Sequence, residues 1–315
     1  MMSSRLPRHD GAARPSGITA AYFSAMTRIA VVGPGAVGAT FAAAAERAGH
    51  DATLCGRRAA AAPAVELPDG GEHRLAERVR ADPSAPAPVP WVLLATKTHQ
   101  TAGAADWLAA LCDERTVVAV LQNGVEHREL VAPLAGAATV LPAIVWCPSE
   151  VVAPGRVRQR GPARLSVPDE PAGAALAALL DGAAQVDVVA DFRTEAWRKL
   201  CLNAVAAPMV LAGRRAEVYR EPGQLELARG IAEECVAVGR AEGARLGPHT
   251  VEEVIEQIAT FPPDLGTSML FDRLAGRRLE WEARNGVISR LGARHGIPTP
   301  VSDDVVARLA ALDAT

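Results

Sequence analysis

The stretch that most limits how this chain can fold is residues 28–58, RIAVVGPGAVGATFAAAAERAGHDATLCGRR. It runs from an apolar segment through a glycine turn and an alanine-rich segment of helical period to a second apolar segment, which is the order strand, turn, helix, strand. Gly33, Gly35 and Gly38 have the spacing G-x-G-x-x-G. Glycine at the first place permits a sharp turn, at the second lets a phosphate approach the backbone, and at the third lets the helix pack closely on the sheet. The unpaired N–H groups at the helix start then face the phosphates. This setting predicts an α/β fold that opens as a Rossmann-type doubly wound sheet. Gly33, Pro34, Gly35, Ala36, Val37 and Gly38 would hold the pyrophosphate of a dinucleotide.

The tip of the second strand selects the dinucleotide. A carboxylate there receives the ribose hydroxyls of NAD, whereas an arginine accommodates the 2′-phosphate of NADP. The segment DATLCGRR ends in Gly56, Arg57 and Arg58, and Asp51 precedes the strand as a turn residue. NADPH/NADP is the expected cofactor, with Arg57 as the favoured contact and Arg58 next.

Further along, WVLLATK (91–97) and RTVVAVLQNG (115–124) are apolar runs that end in polar groups. Lys97 and Asn123 therefore fall at the carboxyl edge of a parallel sheet, beside the nicotinamide half of the cofactor. Segment 138–168 alternates apolar and polar residues between Pro and Gly, which predicts an antiparallel or mixed extension of the sheet. Beyond residue 190 helical periods dominate, including 223–247, 251–259 and the single helical stretch EAWRKLCLNAVAAP (195–208). The expected organisation is a disordered leader over residues 1–25, with Met26 as an alternative start, an NADP-binding Rossmann-type domain over 26–190, and a C-terminal all-helical substrate domain over 191–315.

A length of 315 residues suits two domains with a cleft between them. The formal charge of −3, with scattered acids, gives no basic footprint for nucleic acid and no polybasic face for a membrane. No long uncharged apolar run is present for a membrane span. Cys55, Cys112, Cys147, Cys201 and Cys235 are odd in number and widely spaced, with no C-x-x-C pair and no metal-ligand cluster. Reduced thiols, a cytoplasmic location, no metal and a small-molecule partner follow as expectations. The apolar helices of the second half suit either a homodimer or their own core. Among 33 basic residues only Lys97 and Lys199 are lysine, and the only asparagines are Asn123, Asn203 and Asn285. In a chain biased this strongly towards arginine, the surviving Lys and Asn mark places where a substitute would not serve. Lys199 and Asn203 lie one helical turn apart on one face.

These segments together resemble the ketopantoate reductase (2-dehydropantoate 2-reductase) family, over Arg28 to about Leu309. The matching motifs are the glycine turn with Arg57, LLATK ending in Lys97, LQNG with Asn123, WRKLCLNAV with Lys199 and Asn203, and SMLFDRLAGRRLEWEARNGVI with Ser268, Glu280 and Asn285. Both lysines and all three asparagines fall on motif positions. The resemblance implies an NADPH-dependent reductase of a 2-keto acid working in an interdomain cleft, with ketopantoate giving pantoate for pantothenate and coenzyme A biosynthesis. It makes Lys199 the proton donor and Glu280 the partner of substrate hydroxyls. Asn123, Asn203 and Ser268 would position the substrate, and Lys97 would contact substrate or cofactor. The chemistry is coherent, because lysine gives up a proton once desolvation lowers its pKa whereas arginine does not.

The same helix face is expected to continue to Ala207, where the family pattern has a further substrate-binding asparagine. That departure leaves open a paralogous reductase of another branched 2-keto acid. A non-catalytic NADPH sensor is the alternative of a different class. Arg277, Arg278, Glu282 and Arg284 read as solvated charges on an amphipathic helix.

Overall fold

A computed structural model of the chain describes residues 26–84 and 86–313. The expected leader, residues 1–25, lies outside the described residues. The opening unit consists of β1 (Arg28–Val32), α1 (Ala36–Arg47) and β2 (Asp51–Cys55). There follow a hairpin of β3 (Ala64–Glu66) and β4 (Glu72–Arg74), then β5 (Trp91–Leu94) and a 3-10 segment over Thr98–Ala104 that runs into α2 (Ala105–Leu111). Next come β6 (Val117–Val120), α3 (His127–Ala135) and β7 (Thr139–Pro142). Five strands form one parallel sheet in the order β2-β1-β5-β6-β7.

Both faces of this sheet are covered, which is why its strands are continuous apolar runs. Ile29 and Val31 of β1 join the core under α1, while Ala30 and Val32 join the core formed with Trp107, Leu108 and Val131 on the other face. The chain leaves β1 for β2 on one side and returns to β5 on the other. That reversal opens a crevice at the carboxyl ends of the strands.

Segment 138–168 is not one extension of that sheet. Only β7 joins it, and in parallel. The remainder folds as β8 (Ile144–Trp146), β9 (Ser149–Ala153), β10 (Arg156–Gln159) and β11 (Arg164–Pro168). Strands β9 and β10 complete a small sheet in the order β4-β3-β10-β9, whereas β8 and β11 join β12 (Gln185–Val189), which follows α4 (Pro171–Leu179). Prolines do not donate to a ladder, and Pro142, Pro148 and Pro162 fall at or between strand ends, cutting the run into short pieces shared among three sheets.

The helical half holds α5 (Phe192–Ala204), α6 (Ala207–Ala212), α7 (Gln224–Ala241), α8 (Thr250–Ala259), α9 (Ser268–Leu274), α10 (Val287–His295) and α11 (Pro300–Asp313), with a π-helical turn over Glu282–Gly286. Asp191 caps α5 by accepting from the Thr194 N–H. Trp197, Cys201, Ile231, Cys235 and Ile288 lie in one core.

Residues 195–208 do not form a single helix. Pro208 has no N–H for the Ala204 carbonyl four residues back, and a proline ring crowds that carbonyl. The chain therefore breaks after Ala204, and Nδ2 of Asn285 donates to the freed carbonyl at 3.1 Å. The break also redirects the helix face. Ala206 lines the cleft, whereas Ala207 is fully buried in the helical core.

Candidate active site

The crevice of the sheet and the helical half enclose a cleft of about 1640 Å³. At one end lies the glycine turn. Gly33 has φ +91°, and a Cβ there would come within 2.7 Å of the Thr96 nitrogen. A Cβ on Gly38 would lie 2.3 Å from the Gly33 carbonyl oxygen, so Gly38 packs beneath the turn while residues 33–37 form the cleft wall. Nothing stands within 4 Å of a Cβ built on Gly35, which leaves its backbone open to approach. Helix α1 begins at Ala36 with no acid in its first turn, so its first N–H groups present partial positive charge without a competing carboxylate. Arg57 and Arg58 follow β2, are exposed, and line the same cleft. Backbone donors, a turn closed to side chains and two arginines at the rim fit a phosphorylated dinucleotide.

At the other end the two halves are joined by a polar network. Lys97, just beyond β5, donates to Glu280 at 2.9 Å and to Asp272 of α9 at 3.0 Å. Glu280 also accepts from the Thr98 N–H at 3.1 Å and from Asn123 Nδ2 at 3.4 Å. Asn203 of α5 donates in turn to Asn123 Oδ1 at 3.3 Å. Glu280 is only 4% exposed. Burial pushes its pKa up, but the charges of Lys97 and Arg284 and the hydrogen bonds outweigh that and hold it below the ordinary value. Burial likewise works against the Lys97 ammonium, and Glu280 and Asp272 together raise its pKa above normal. Glu280 is thus a carboxylate and Lys97 an ammonium at neutral pH.

Lys199 lies in a different environment. Its Nζ sits 3.7 Å from the centroid of the Trp146 ring, and no carboxylate pairs with it among the described residues. Trp146 comes from β8 and faces Arg164 across the β8–β11 pairing, with the Arg164 guanidinium 4.9 Å from the same ring. Burial first, then the positive charges of Arg284 and Arg164, lower the Lys199 pKa from 10.5 to about 8. An aromatic face stabilises a cation only modestly compared with a carboxylate, so the amine holds its proton without being locked by it.

Ser268 opens α9, whose N-cap Thr267 accepts from the Leu270 N–H. Its Oγ accepts from Nη2 of Arg284 at 2.8 Å. Arg284 is not a solvated charge: it is 3% exposed and lines the cleft. The π turn over Glu282–Gly286 explains the difference. An extra residue in the turn disrupts the amphipathic period, and residues 283–288 are all buried. Sequence reasoning also passed over Asp272 and Trp146. Asp272 stands four residues after Ser268 on one helix, a spacing that places both on one face, whereas nothing in the local sequence marks Trp146.

A Rossmann sheet with a phosphate-binding turn, joined through a polar cleft to a helical half that carries a half-buried amine, defines a two-domain nicotinamide-dinucleotide oxidoreductase. The chain belongs to the ketopantoate reductase family. The family model "Ketopantoate reductase PanE/ApbA" matches residues 29–171, and "Ketopantoate reductase PanE/ApbA C terminal" matches 191–313. The chain is 50% identical over 289 residues to 2-dehydropantoate 2-reductase of Mycobacterium tuberculosis, covering 90% of this chain and 97% of that protein. Among solved structures it resembles the PanE/ApbA family ketopantoate reductase from Ralstonia eutropha JMP134, with TM-score 0.83, 30% identity, and coverage of 91% of this chain and 98% of that one. It shares the fold of the dimeric ketopantoate reductase from Staphylococcus aureus, with TM-score 0.81, 24% identity and coverage of 91% and 99%. Among the described residues no helix is long and apolar enough to cross a membrane.

Proposed function

We propose that this protein reduces the keto group of 2-dehydropantoate to the hydroxyl of pantoate with NADPH, and that Lys199 is its general acid. The observation that carries the reading is the Lys199 amine: half-buried against an aromatic ring, without a carboxylate partner among the described residues, and with its pKa lowered to about 8, in the same cleft as the glycine turn.

Bound NADPH supplies the hydride that the carbonyl carbon accepts. Residues 33–37, with Gly38 packed beneath them, would hold its pyrophosphate and Arg57 its 2′-phosphate. As negative charge builds on the carbonyl oxygen, the Lys199 ammonium stabilises it and transfers one proton from Nζ to that oxygen. The amine is left neutral and regains a proton from water. Glu280, ionised and held by Lys97, Thr98 and Asn123, accepts a hydrogen bond from the substrate hydroxyl. Asn203 and Asn123 link that carboxylate to the helix bearing Lys199, so acid and hydroxyl anchor keep a fixed spacing. The amide absent at Ala207 does not argue for another substrate, because that position faces the core. The working unit is read as a homodimer by analogy with the dimeric enzyme of the same fold.

Purified protein mixed with NADPH and 2-dehydropantoate should lose nicotinamide absorbance in step with pantoate formed. Tight NADPH binding with no oxidation by any branched 2-keto acid would instead identify a sensor, and oxidation by a different keto acid alone would change the substrate.

A further inference from the structure

We propose that Arg284, seated by Ser268, anchors the substrate carboxylate and is the residue by which the cleft selects 2-keto acids over neutral ketones; this rests on the reductase reading above. Arg284 is almost wholly buried, yet among the described residues no carboxylate pairs with its guanidinium. Among the described residues its one hydrogen-bond acceptor is the neutral Ser268 oxygen, and its Nε has no partner. A buried cation with no ion pair is costly; the charges of Glu280 and Asp272 reach Arg284, but both carboxylates are bonded to Lys97, at 2.9 and 3.0 Å. Both Arg284 and Ser268 line the cleft. A serine oxygen that accepts from arginine keeps its own O–H to donate, so the pair offers an anion two donors together with a full positive charge.

The remaining charges fix which part of the substrate belongs there. Glu280 repels a carboxylate and suits a hydroxyl. Lys97 is already neutralised by two acids. Lys199 has to release its proton, which a permanent ion pair with the substrate would oppose. Arg284 stays protonated throughout, and its charge reaches both Lys199 and Glu280 strongly enough to bias their ionisation. A 2-keto acid carries its carboxylate on the carbon next to the keto group. Laid with the carboxylate on Arg284 and the hydroxyl on Glu280, it keeps the keto group in the cleft that Lys199 also lines.

The test compares kcat/KM for 2-dehydropantoate and for its neutral carboxamide in wild type, Arg284→Met, Arg284→Lys and Ser268→Ala, with NADPH affinity measured by fluorescence titration. In Arg284→Met the preference for the acid over the amide should fall by about 10²-fold, mainly through KM, because charged hydrogen bonds to the carboxylate are lost. Arg284→Lys should restore part of it. NADPH affinity should stay within about threefold. Ser268→Ala, which leaves Arg284 in place, should reduce the preference by a smaller factor and serves if the arginine variants do not fold. An unchanged acid-to-amide ratio in a folded Arg284 variant, or in Ser268→Ala if neither folds, overturns the anchor. A wild type that oxidises NADPH with neither compound overturns the reductase reading, and the anchor falls with it.

Discussion

Replacing Lys199 with methionine keeps the apolar stem of the side chain and removes the amine, so it separates what the lysine does for chemistry from what it costs the fold. Each pKa unit corresponds to about 1.4 kcal/mol. The drop from 10.5 to about 8 therefore corresponds to a cost of about 3 kcal/mol for carrying the ammonium in the folded protein. Because the folded pKa lies below the unfolded one, the unfolded chain holds the proton more tightly. The destabilisation is complete below pH 8 and disappears as pH rises from 8 to 10.5. In urea titrations Lys199→Met should be more stable than wild type by about 3 kcal/mol at pH 7, with the gain shrinking towards zero by pH 10.5. Its kcat for 2-dehydropantoate reduction should fall by about 10²- to 10⁴-fold, the usual contribution of a positioned acid. A variant no more stable than wild type at pH 7, or equally favoured at pH 7 and 10.5, refutes the account of Lys199 as a strained buried cation. Near-normal turnover refutes its role as the acid.

For wild type, kcat/KM for reduction should decline as pH rises through about 8, the pKa of the free enzyme's lysine, and stopped-flow rates across pH 6–10 would show a flat profile if another group supplies the proton. Arg57→Ser should lower the preference for NADPH over NADH by about 10- to 100-fold, the loss of one charged hydrogen-bonding partner; a preference that moves only in Arg58→Ser transfers the phosphate contact to Arg58. Gly38→Ala places a methyl 2.3 Å from the Gly33 carbonyl oxygen, and should cost about 1–3 kcal/mol and weaken NADPH binding in a fluorescence titration. Ala207→Asn buries an amide in the helical core and should cost about 1–3 kcal/mol in thermal or urea unfolding with no fall in the KM for 2-dehydropantoate; a lower KM would place residue 207 in the cleft.

The parts of the site that could be read from the sequence are those fixed by short-range geometry. The glycine turn follows from spacing within one βαβ unit, and Lys97 and Asn123 from their positions at the ends of apolar strands. Lys199 and Asn203 stood out because lysine and asparagine are so scarce in this chain. What escaped depends on local departures from regular period. Pro208 ends α5 and turns Ala207 inward, although the 3.6-residue pattern continues through it. The π turn at 282–286 buries Arg284, which a regular amphipathic helix would expose. Trp146 lies on β8, which leaves the main sheet to pair with β11, with Arg164 opposite Trp146, while β10 of the same segment pairs with the distant β3; the alternation of the segment does not show which sheet each piece joins.

On the reading proposed here, the selectivity of the cleft would come from keeping Lys97, Arg284 and Lys199 in three electrostatic states. Lys97 is fully matched, with two carboxylates at about 3 Å; it serves to keep Glu280 ionised and fixed, so that the carboxylate can accept but not donate. Arg284 holds its charge permanently and, among the described residues, hydrogen-bonds only to the Ser268 hydroxyl, with Glu280 and Asp272 acting on it without an ion pair, which leaves its donors open to an anion. Lys199, among the described residues, is paired with neither carboxylate nor hydroxyl but with an aromatic face, and its pKa is lowered to about 8. Exchanging any two of these partners would spoil the chemistry: a carboxylate beside Lys199 would raise its pKa and make it a poor acid, and a bare ring beside Lys97 would free Glu280 to take up a proton. The scarcity of lysine in this chain then has a physical basis at both positions. Lys199 must be able to lose its proton, which arginine does not do, and Lys97 must place one compact charge between two carboxylates, where the broader guanidinium fork would push them apart.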